Sequence, residues 1–409
     1  MTSVHVNPDS RLVTDYLRLG LAFDRIEEGF VDAFTGDPQL RAQAANGPAP
    51  DPASLAERAR ALRAELPAGL PAERAAFLDA HLAALECSAR KFAGEPIGFV
   101  DEVRAYFDVE IAPADIDVYR QAHADMAVAL GVPGASGSAL RDAYTAYRHA
   151  DEIPPDKVDE CVRAFSGALR ERVRATYSLP HNELVEFEVV TDKPWSGFNY
   201  YLGNFRSRVA INADLTQYMS SLPHLIAHEA YPGHHTEHCR KEEILVGGGQ
   251  TEQTIFLVNT PQCLMAEGLA DHALHAAIGD DWGVWAQEIY ADLGLRFDGA
   301  RAQAVGKAAG GLLAVRQDAA LLLHDRHADA DTVADFLQTW LLAPPQRARQ
   351  MLRFLTSPLW RAYISTYVEG YRLLDDWLSR VPQPGRLARF GRLLDEPLTP
   401  ALLRAELGQ

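Results

Sequence analysis

Eight consecutive residues, His228-Glu229-Ala230-Tyr231-Pro232-Gly233-His234-His235, are of the types that activate water on a metal. In a regular H-E-x-x-H helix, two histidines at i and i+4 share a face and hold Zn²⁺. The glutamate beside the first then acts as general base on metal-bound water. Here the next histidine arrives at i+6 (His234) or i+7 (His235). On an unbroken helix i+6 points about 120° away and i+7 lies about 10.5 Å further along, so neither shares one ion with His228. Pro232-Gly233 supplies a break, because proline clashes with the carbonyl four residues back and donates no N–H, while glycine tolerates unusual dihedrals. The expectation is an interrupted zinc helix in which a bulge swings His234 back toward His228. His235 then points to the substrate or to the surroundings of the metal. It becomes the ligand instead if the insertion forms a full extra loop. His224, at i−4 from His228, is a third alternative with ideal same-face spacing. The neighbouring apolar run, Leu222, Leu225, Ile226, Ala227 and Ala230, argues against a merely solvated helix.

A catalytic zinc keeps three protein ligands and an open position. Met265-Ala266-Glu267-Gly268-Leu269-Ala270-Asp271-His272 offers the third. Glu267, on a separate helix, completes a two-His-one-Glu set, with Asp271 one turn on and His275 two turns on. Asp271 is placed to hydrogen-bond a ligating imidazole from behind and fix its tautomer. Glu-x-x-x-Asp is common on any exposed helix; its weight comes from the pairing with the histidine stretch.

These two motifs carry a resemblance. His-Glu-Ala-Tyr-Pro-Gly-His-His followed by Glu267-Gly268-x-Ala270 resembles the bacterial family known as domain of unknown function family 885, which looks like a divergent branch of the gluzincin metallopeptidases with distant similarity to thermostable-type carboxypeptidases. Thr236-Glu237 stands where the family usually has Leu-Gln, and Leu269 and His272 replace the aromatics of its Glu-Gly-Trp-Ala-x-Tyr. Tyr367-Val368-Glu369-Gly370 matches its C-terminal Tyr-x-x-Gly, so the likeness spans roughly residues 180–380. The resemblance implies His228, His234 and Glu267 as zinc ligands and Glu229 as the base that takes a proton from water and returns it to the leaving amine. The oxyanion needs a second donor, which Tyr367 supplies, with Tyr363 one turn earlier as the alternative. A carboxypeptidase also needs a cation for the substrate's terminal carboxylate; Arg206, Arg316 and Arg361 are candidates that sequence does not rank.

The elements that position these residues are mostly helical. Arg11–Phe34 carries Leu12, Tyr16, Leu19, Phe23, Ile26 and Phe30 at three- and four-residue spacing and reads as one helix. After the linker Gly47–Pro52, Ser54 starts a short helix. Pro71–Phe92, Glu95–Phe107, Pro113–Leu130, Ser138–Ala150 and Pro155–Tyr177 follow, separated by Pro or Gly breaks. Between Glu183 and Asn212 the pattern alternates instead, giving three short strands with a turn at Gly203-Asn204. No other stretch reads convincingly as β. The zinc helix is expected from about Leu215 to Arg240. Glu242–Thr260 contains a Gly-rich break, Gly247-Gly248-Gly249, and a segment that reads as either helix or loop, Pro261 opens a helix to Ile278, and helices continue over Asp298–His327, Asp329–Leu342, Pro345–Leu355 and Pro358–Ser379. The fold class is therefore mainly α, a large helical gluzincin-like fold with a small antiparallel sheet beside the zinc helix. An N-terminal helical region (1–180) and a catalytic region (181–409) share one unit with a central cleft. In many zinc peptidases such a sheet pairs its edge strand with extended peptide, a general recognition mode.

Composition narrows the function classes. The 409 residues carry 39 basic and 56 acidic side chains, a net charge of −17 with His neutral, which argues against nucleic acid and anionic membranes as partners. The four cysteines, Cys87, Cys161, Cys239 and Cys263, have no C-x-x-C spacing, so neither a disulfide framework nor a thiolate zinc site is expected. Residues 1–15 lack the basic and apolar regions of a signal peptide, and a cytoplasmic protein is the simplest expectation. The leading function is a zinc metallopeptidase acting on short peptides. The alternatives are a zinc amidohydrolase or esterase on a non-peptide substrate, and a non-enzymatic helical protein with a degenerate metal site.

Overall fold

The first amphipathic run does not continue as one helix. In the computed structural model, which describes residues 8–191, 197–212, 216–382 and 385–409, a helix over Pro8–Phe23 buries Leu12, Tyr16, Leu19 and Phe23 and then stops. Gly29 adopts φ +87°, open to glycine at little strain, and the Asp24 carboxylate accepts from the N–H groups of Gly29 and Val31 at 3.2 and 3.1 Å. The chain leaves that turn as a strand, β1 (Val31–Phe34), which pairs antiparallel with β5 (Ile255–Leu257). Both strands correct the sequence reading. Four residues ending a helical pattern, and three inside a Gly-rich break, are too short for a period-two signal to show.

The alternating region forms β2 (Leu184–Val190), β3 (Gly197–Gly203) and β4 (Arg206–Asn212). Asn204 and Phe205, at φ +53° and +61°, close the tight turn between β3 and β4. That hairpin is antiparallel, whereas β2 runs parallel to β4 with Leu184 opposite Arg206, giving the order β2-β4-β3. The protein is thus mainly helical with small sheets, two of the three strand pairings among the described residues being antiparallel.

Most helices stand where apolar spacing puts them. Pro52–Gly69 is longer than expected and starts two residues earlier, because Asp51 caps it by accepting from Ser54 N–H at 3.0 Å. The run over 298–327 is broken at Gly310-Gly311 into Gly299–Gly310 and Val315–His324, and the run over 358–379 is helical only in its later part, a π-helix over Thr366–Gly370 that continues into the α-helix Tyr371–Ser379. One continuous core runs from Leu12 to Leu403. Ion pairs stitch the N-terminal helices to later segments: Arg74 holds Glu252 at 2.6 Å, and Lys91 and Arg361 share the buried Glu102.

At the centre lies the helix Pro261–Ile278, buried along most of its length. It packs against Leu222–Glu229, the Thr366–Gly370 π-helix and Tyr371–Ser379. Gly268 and Gly370 make one contact backbone to backbone: a Cβ on Gly268 would meet the Gly370 carbonyl oxygen at 2.6 Å, and a Cβ on Gly370 would meet that of Leu264 at 2.5 Å. No larger residue fits either position. The glycines beside Glu267 and three residues after Tyr367 thereby bring those two side chains into one neighbourhood.

Candidate metal centre

The helix expected to carry both histidines is two helices, Leu222–Glu229 and His234–Lys241; Leu215, where it was expected to begin, lies outside the described residues. Ala230 N–H still reaches the Ile226 carbonyl at 3.0 Å, after which regular bonding fails. Gly233 N–H bonds back to Ala227 O at 2.9 Å and Thr236 N–H to Ala230 O at 3.2 Å, each spanning six residues where an α-helix spans four. The interruption, which includes a cis Tyr231–Pro232 bond, therefore takes up two residues. His234, six on from His228, stands where position i+4 would stand on an unbroken helix. Gly233 makes this possible, since a Cβ there would lie 1.9 Å from His228 O and 2.5 Å from Ala227 O.

The structure brings together His228, His234 and Glu267, with one ligand atom from each within 4.8 Å of the others. His228 Nε2 lies 3.3 Å from Glu267 Oε2, and His234 Nε2 lies 3.7 Å from Oε1. The two imidazoles meet nearly perpendicular, ring centres 4.7 Å apart. His228 Nδ1 is 3.0 Å from Asp271 Oδ1. An ionised carboxylate only accepts, so Nδ1 carries the hydrogen and Nε2 turns a lone pair toward Glu267. Glu267 is 5% exposed; its Oε1 accepts from Tyr363 Oη at 2.6 Å, while the buried Oε2 has no hydrogen-bond partner. An imidazole lone pair facing an orphaned buried carboxylate oxygen repels it unless a cation or proton lies between. The donor set fits a divalent metal of the zinc type.

Glu229 is 6% exposed. Burial raises its carboxyl pKa, and the neighbouring Glu267 and Asp271 carboxylates add to the rise, outweighing the opposing influence of His228 and His234; the net shift is upward. Its main-chain carbonyl accepts from Asn199 Nδ2 at 2.7 Å, tying it to β3. A Cβ on Gly197 would come within 3.3 Å of Glu229 Oε1, so the start of β3 runs directly past the carboxylate.

The other expected residues separate clearly. His235 does not face substrate or metal, which corrects the expectation for it. It is fully buried, with Nε2 3.1 Å from Glu183 Oε2 and Nδ1 2.8 Å from Ser207 Oγ. Nε2 therefore donates and Nδ1 accepts. Tyr231 Oη at 2.8 Å and Arg170 at 2.7 Å also hold Glu183. Burial alone would raise Glu183, but the hydrogen bonds from His235, Arg170 and Tyr231 outweigh it and hold its pKa down to about 2. His224 turns away from the cluster and packs edge-on to Trp282 with His275 nearby, while burial lowers its pKa to about 3. His272 stacks on Tyr371. All four cysteines are free and buried.

Of the two tyrosines, Tyr363 is engaged by the Glu267 carboxylate. Tyr367, half-buried and 5.7 Å away ring to ring, has no hydrogen-bond partner among the described residues; burial and then the charges of Glu267, Asp271 and Glu229 raise its pKa. Of the three arginines, Arg206 pairs with Glu186 on the exposed sheet face and Arg361 with Glu102, while Arg316 forms no ion pair among the described residues. Sequence reasoning missed Asp32. This residue of β1 stands within electrostatic range of Glu267 and Glu229, and burial, reinforced by those two charges, raises its carboxyl to about 7. No motif marks it, because only the unforeseen β1–β5 pairing brings it there.

No family model matches the chain, and no curated protein matches it. Two solved structures share the fold. The first, a "putative lipoprotein" from Colwellia psychrerythraea, is 13% identical, with a TM-score of 0.52 over 90% of this chain and 71% of that one. A similarly named protein of unknown function from Shewanella oneidensis is 13% identical, with a TM-score of 0.50 over 90% of this chain and 76% of that one. At this identity the likeness concerns the fold alone. Among the described residues, no helix is long and apolar enough to cross a membrane.

Proposed function

We propose that the protein is a zinc-dependent hydrolase that cleaves peptide bonds of short peptides in the manner of a carboxypeptidase. The observation carrying this reading is the convergence of two imidazoles and one carboxylate, with the Glu229 carboxylate in electrostatic range of all three. A structural metal site has no use for that fourth group. His228, His234 and Glu267 would hold the ion, with Asp271 orienting His228 and Tyr363 orienting Glu267. Zinc held there would supply Lewis-acid polarisation of the scissile carbonyl and a more acidic water. Glu229 takes a proton at its carboxylate and delivers it to the leaving amine. The Tyr367 hydroxyl, free to donate, stabilises negative charge developing on the carbonyl oxygen. The outer edge of β3, beginning at Gly197, offers main-chain groups to an extended substrate. The motif resemblance to family 885 supports the same roles.

The test is metal analysis of purified protein, followed by hydrolysis of a mixed peptide library with and without chelator. About one zinc per chain is expected, with cleavage that stops on chelation. Glu229→Gln keeps the metal and lowers turnover by roughly 10²–10⁴-fold or more. Zinc-loaded protein that cleaves amides or esters but no peptide would move the assignment to an amidohydrolase; chelator-insensitive cleavage would overturn it.

A further inference from the structure

His224 and His275 form a second imidazole pair outside the metal centre. The helices Leu222–Glu229 and Pro261–Ile278 run antiparallel where they meet. His228 faces Asp271 at 3.0 Å; one turn outward on each helix His224 meets His275, with ring centres 5.9 Å apart and planes at 45°. Glu267 and His275 are eight residues apart, about 12 Å along the helix. Asp271 and the His228 ring lie between the two places, so the pair is too far out to complete a bimetallic centre, whose ions lie about 3.5–4 Å apart.

Neither ring has a hydrogen-bond partner among the described residues. His81, His123, His272 and His324, by contrast, each bond a main-chain carbonyl. Burial lowers the pKa of both His224 and His275, which favours the neutral imidazole, the form that ligates a metal. His224 is half-buried and packed edge-on to Trp282, ring centres 4.5 Å apart, so its place is set; His275 is exposed and turns about its own side-chain bonds. A metal about 2.0–2.1 Å from a ring nitrogen lies about 3.2 Å from that ring's centre. One ion therefore joins rings whose centres are up to about 6.4 Å apart, or about 5.2 Å apart at a tetrahedral angle. At 5.9 Å the pair is inside that reach, and a turn of His275 closing it by about 0.7 Å gives the tetrahedral arrangement. Among the described residues no third histidine, cysteine or carboxylate completes a group around the pair, so water fills the remaining positions. Two imidazoles without a carboxylate select Cu²⁺, Ni²⁺ and Zn²⁺ over Ca²⁺ and Mg²⁺.

We propose that His224 and His275 form a second, solvent-accessible transition-metal site that takes Zn²⁺ or Cu²⁺ and ties the helix of His228 to the helix of Glu267. With two protein ligands against three it is weaker than the metal centre and fills only in added metal. The site stands independently of the hydrolase reading. An ion held by both rings binds only the folded arrangement, so its occupancy stabilises the frame that carries the metal centre.

The test begins with purified protein whose first site has been filled with zinc and whose excess metal has been removed. Calorimetric titration with further Zn²⁺ is expected to show one additional equivalent, and the melting temperature to rise as that zinc is added. His275→Ala, at an exposed position, and His224→Gln each weaken the additional equivalent at least about tenfold and abolish the rise. Both variants keep the first zinc. His149→Ala, an exposed histidine of another helix, changes neither quantity. Trp282 reports locally: Cu²⁺ held at the pair quenches its fluorescence, and His275→Ala removes that fraction of the quenching. Melting of each variant in chelator shows whether the frame is intact, and His275→Ala decides alone if His224→Gln does not fold. No additional equivalent, one that survives His275→Ala, or one that Ca²⁺ fills as readily as Zn²⁺ overturns the proposal.

Discussion

Gly233→Ala tests how the two histidine-bearing helices are joined. The added methyl would start 1.9 Å from the His228 carbonyl oxygen and 2.5 Å from those of Ala227 and the His228 carbonyl carbon. All are main-chain atoms, so no side-chain rotation relieves the contact. Bringing the closest pair to 3.0 Å opens the junction by roughly 1.1 Å, about five times the ±0.2 Å tolerance of metal–ligand distances. The same opening strains the 2.9 Å bond from Gly233 N–H to Ala227 O that sets the two-residue loop. Overpacking of this kind destabilises by about 1–3 kcal/mol, and displacement of His234 is expected to weaken zinc binding by about 100-fold or more, beyond the 10- to 100-fold of a lost supporting contact. Competition with a calibrated chelator gives the affinity, and urea unfolding of the metal-free protein gives the stability. A Gly233→Ala protein with the zinc affinity and midpoint of its parent would refute the reasoning, because the close approach would then be dispensable.

Two further predictions follow from the groups behind the ligands. Asp271→Asn keeps the size of the side chain but removes the charged acceptor for His228 Nδ1; zinc affinity is expected to fall about 10- to 100-fold with little change in the metal-free fold, and an unchanged affinity by chelator competition would discount that hydrogen bond. Glu183 has its pKa held down to about 2, below the unfolded glutamate value of about 4.3, so its stabilisation is fully present above the unfolded pKa and is lost as pH falls toward 2. The contribution is about 3 kcal/mol. Glu183→Gln should therefore unfold more easily at pH 7 yet converge with its parent near pH 2 in chemical denaturation, and a difference independent of pH would contradict the linkage.

Much of this centre was legible because it is local. His228, Glu229 and His234 lie within one short stretch, and Pro232-Gly233 announces the interruption that reconciles six-residue spacing with one ion. The helical framework was legible for the same reason, since three- and four-residue spacing is a property of neighbours along the chain. Features that depend on distant partners were not. The pairing of β1 with β5, which delivers Asp32, joins segments from opposite parts of the sequence. The parallel register of β2 on β4 cannot be told from alternation that would serve an antiparallel pair equally well. His235 and His234 look alike as neighbours, and only the buried Glu183 tells them apart. The three candidate arginines were indistinguishable until their carboxylate partners were known, because being unpaired is a property of the folded surroundings.

The contact of Gly268 with Gly370 has a bearing on how such a protein diversifies. It fixes the spacing of the Glu267 and Tyr367 segments through main-chain atoms alone, so that spacing does not depend on the identity of side chains around it. Residues that face outward from the same two segments can then be exchanged without disturbing that frame. Placement of the Glu267 and Tyr367 segments and the identity of the side chains exposed on them are to that extent separately heritable, and a library over those exposed positions, with both glycines kept, is expected to leave the frame intact.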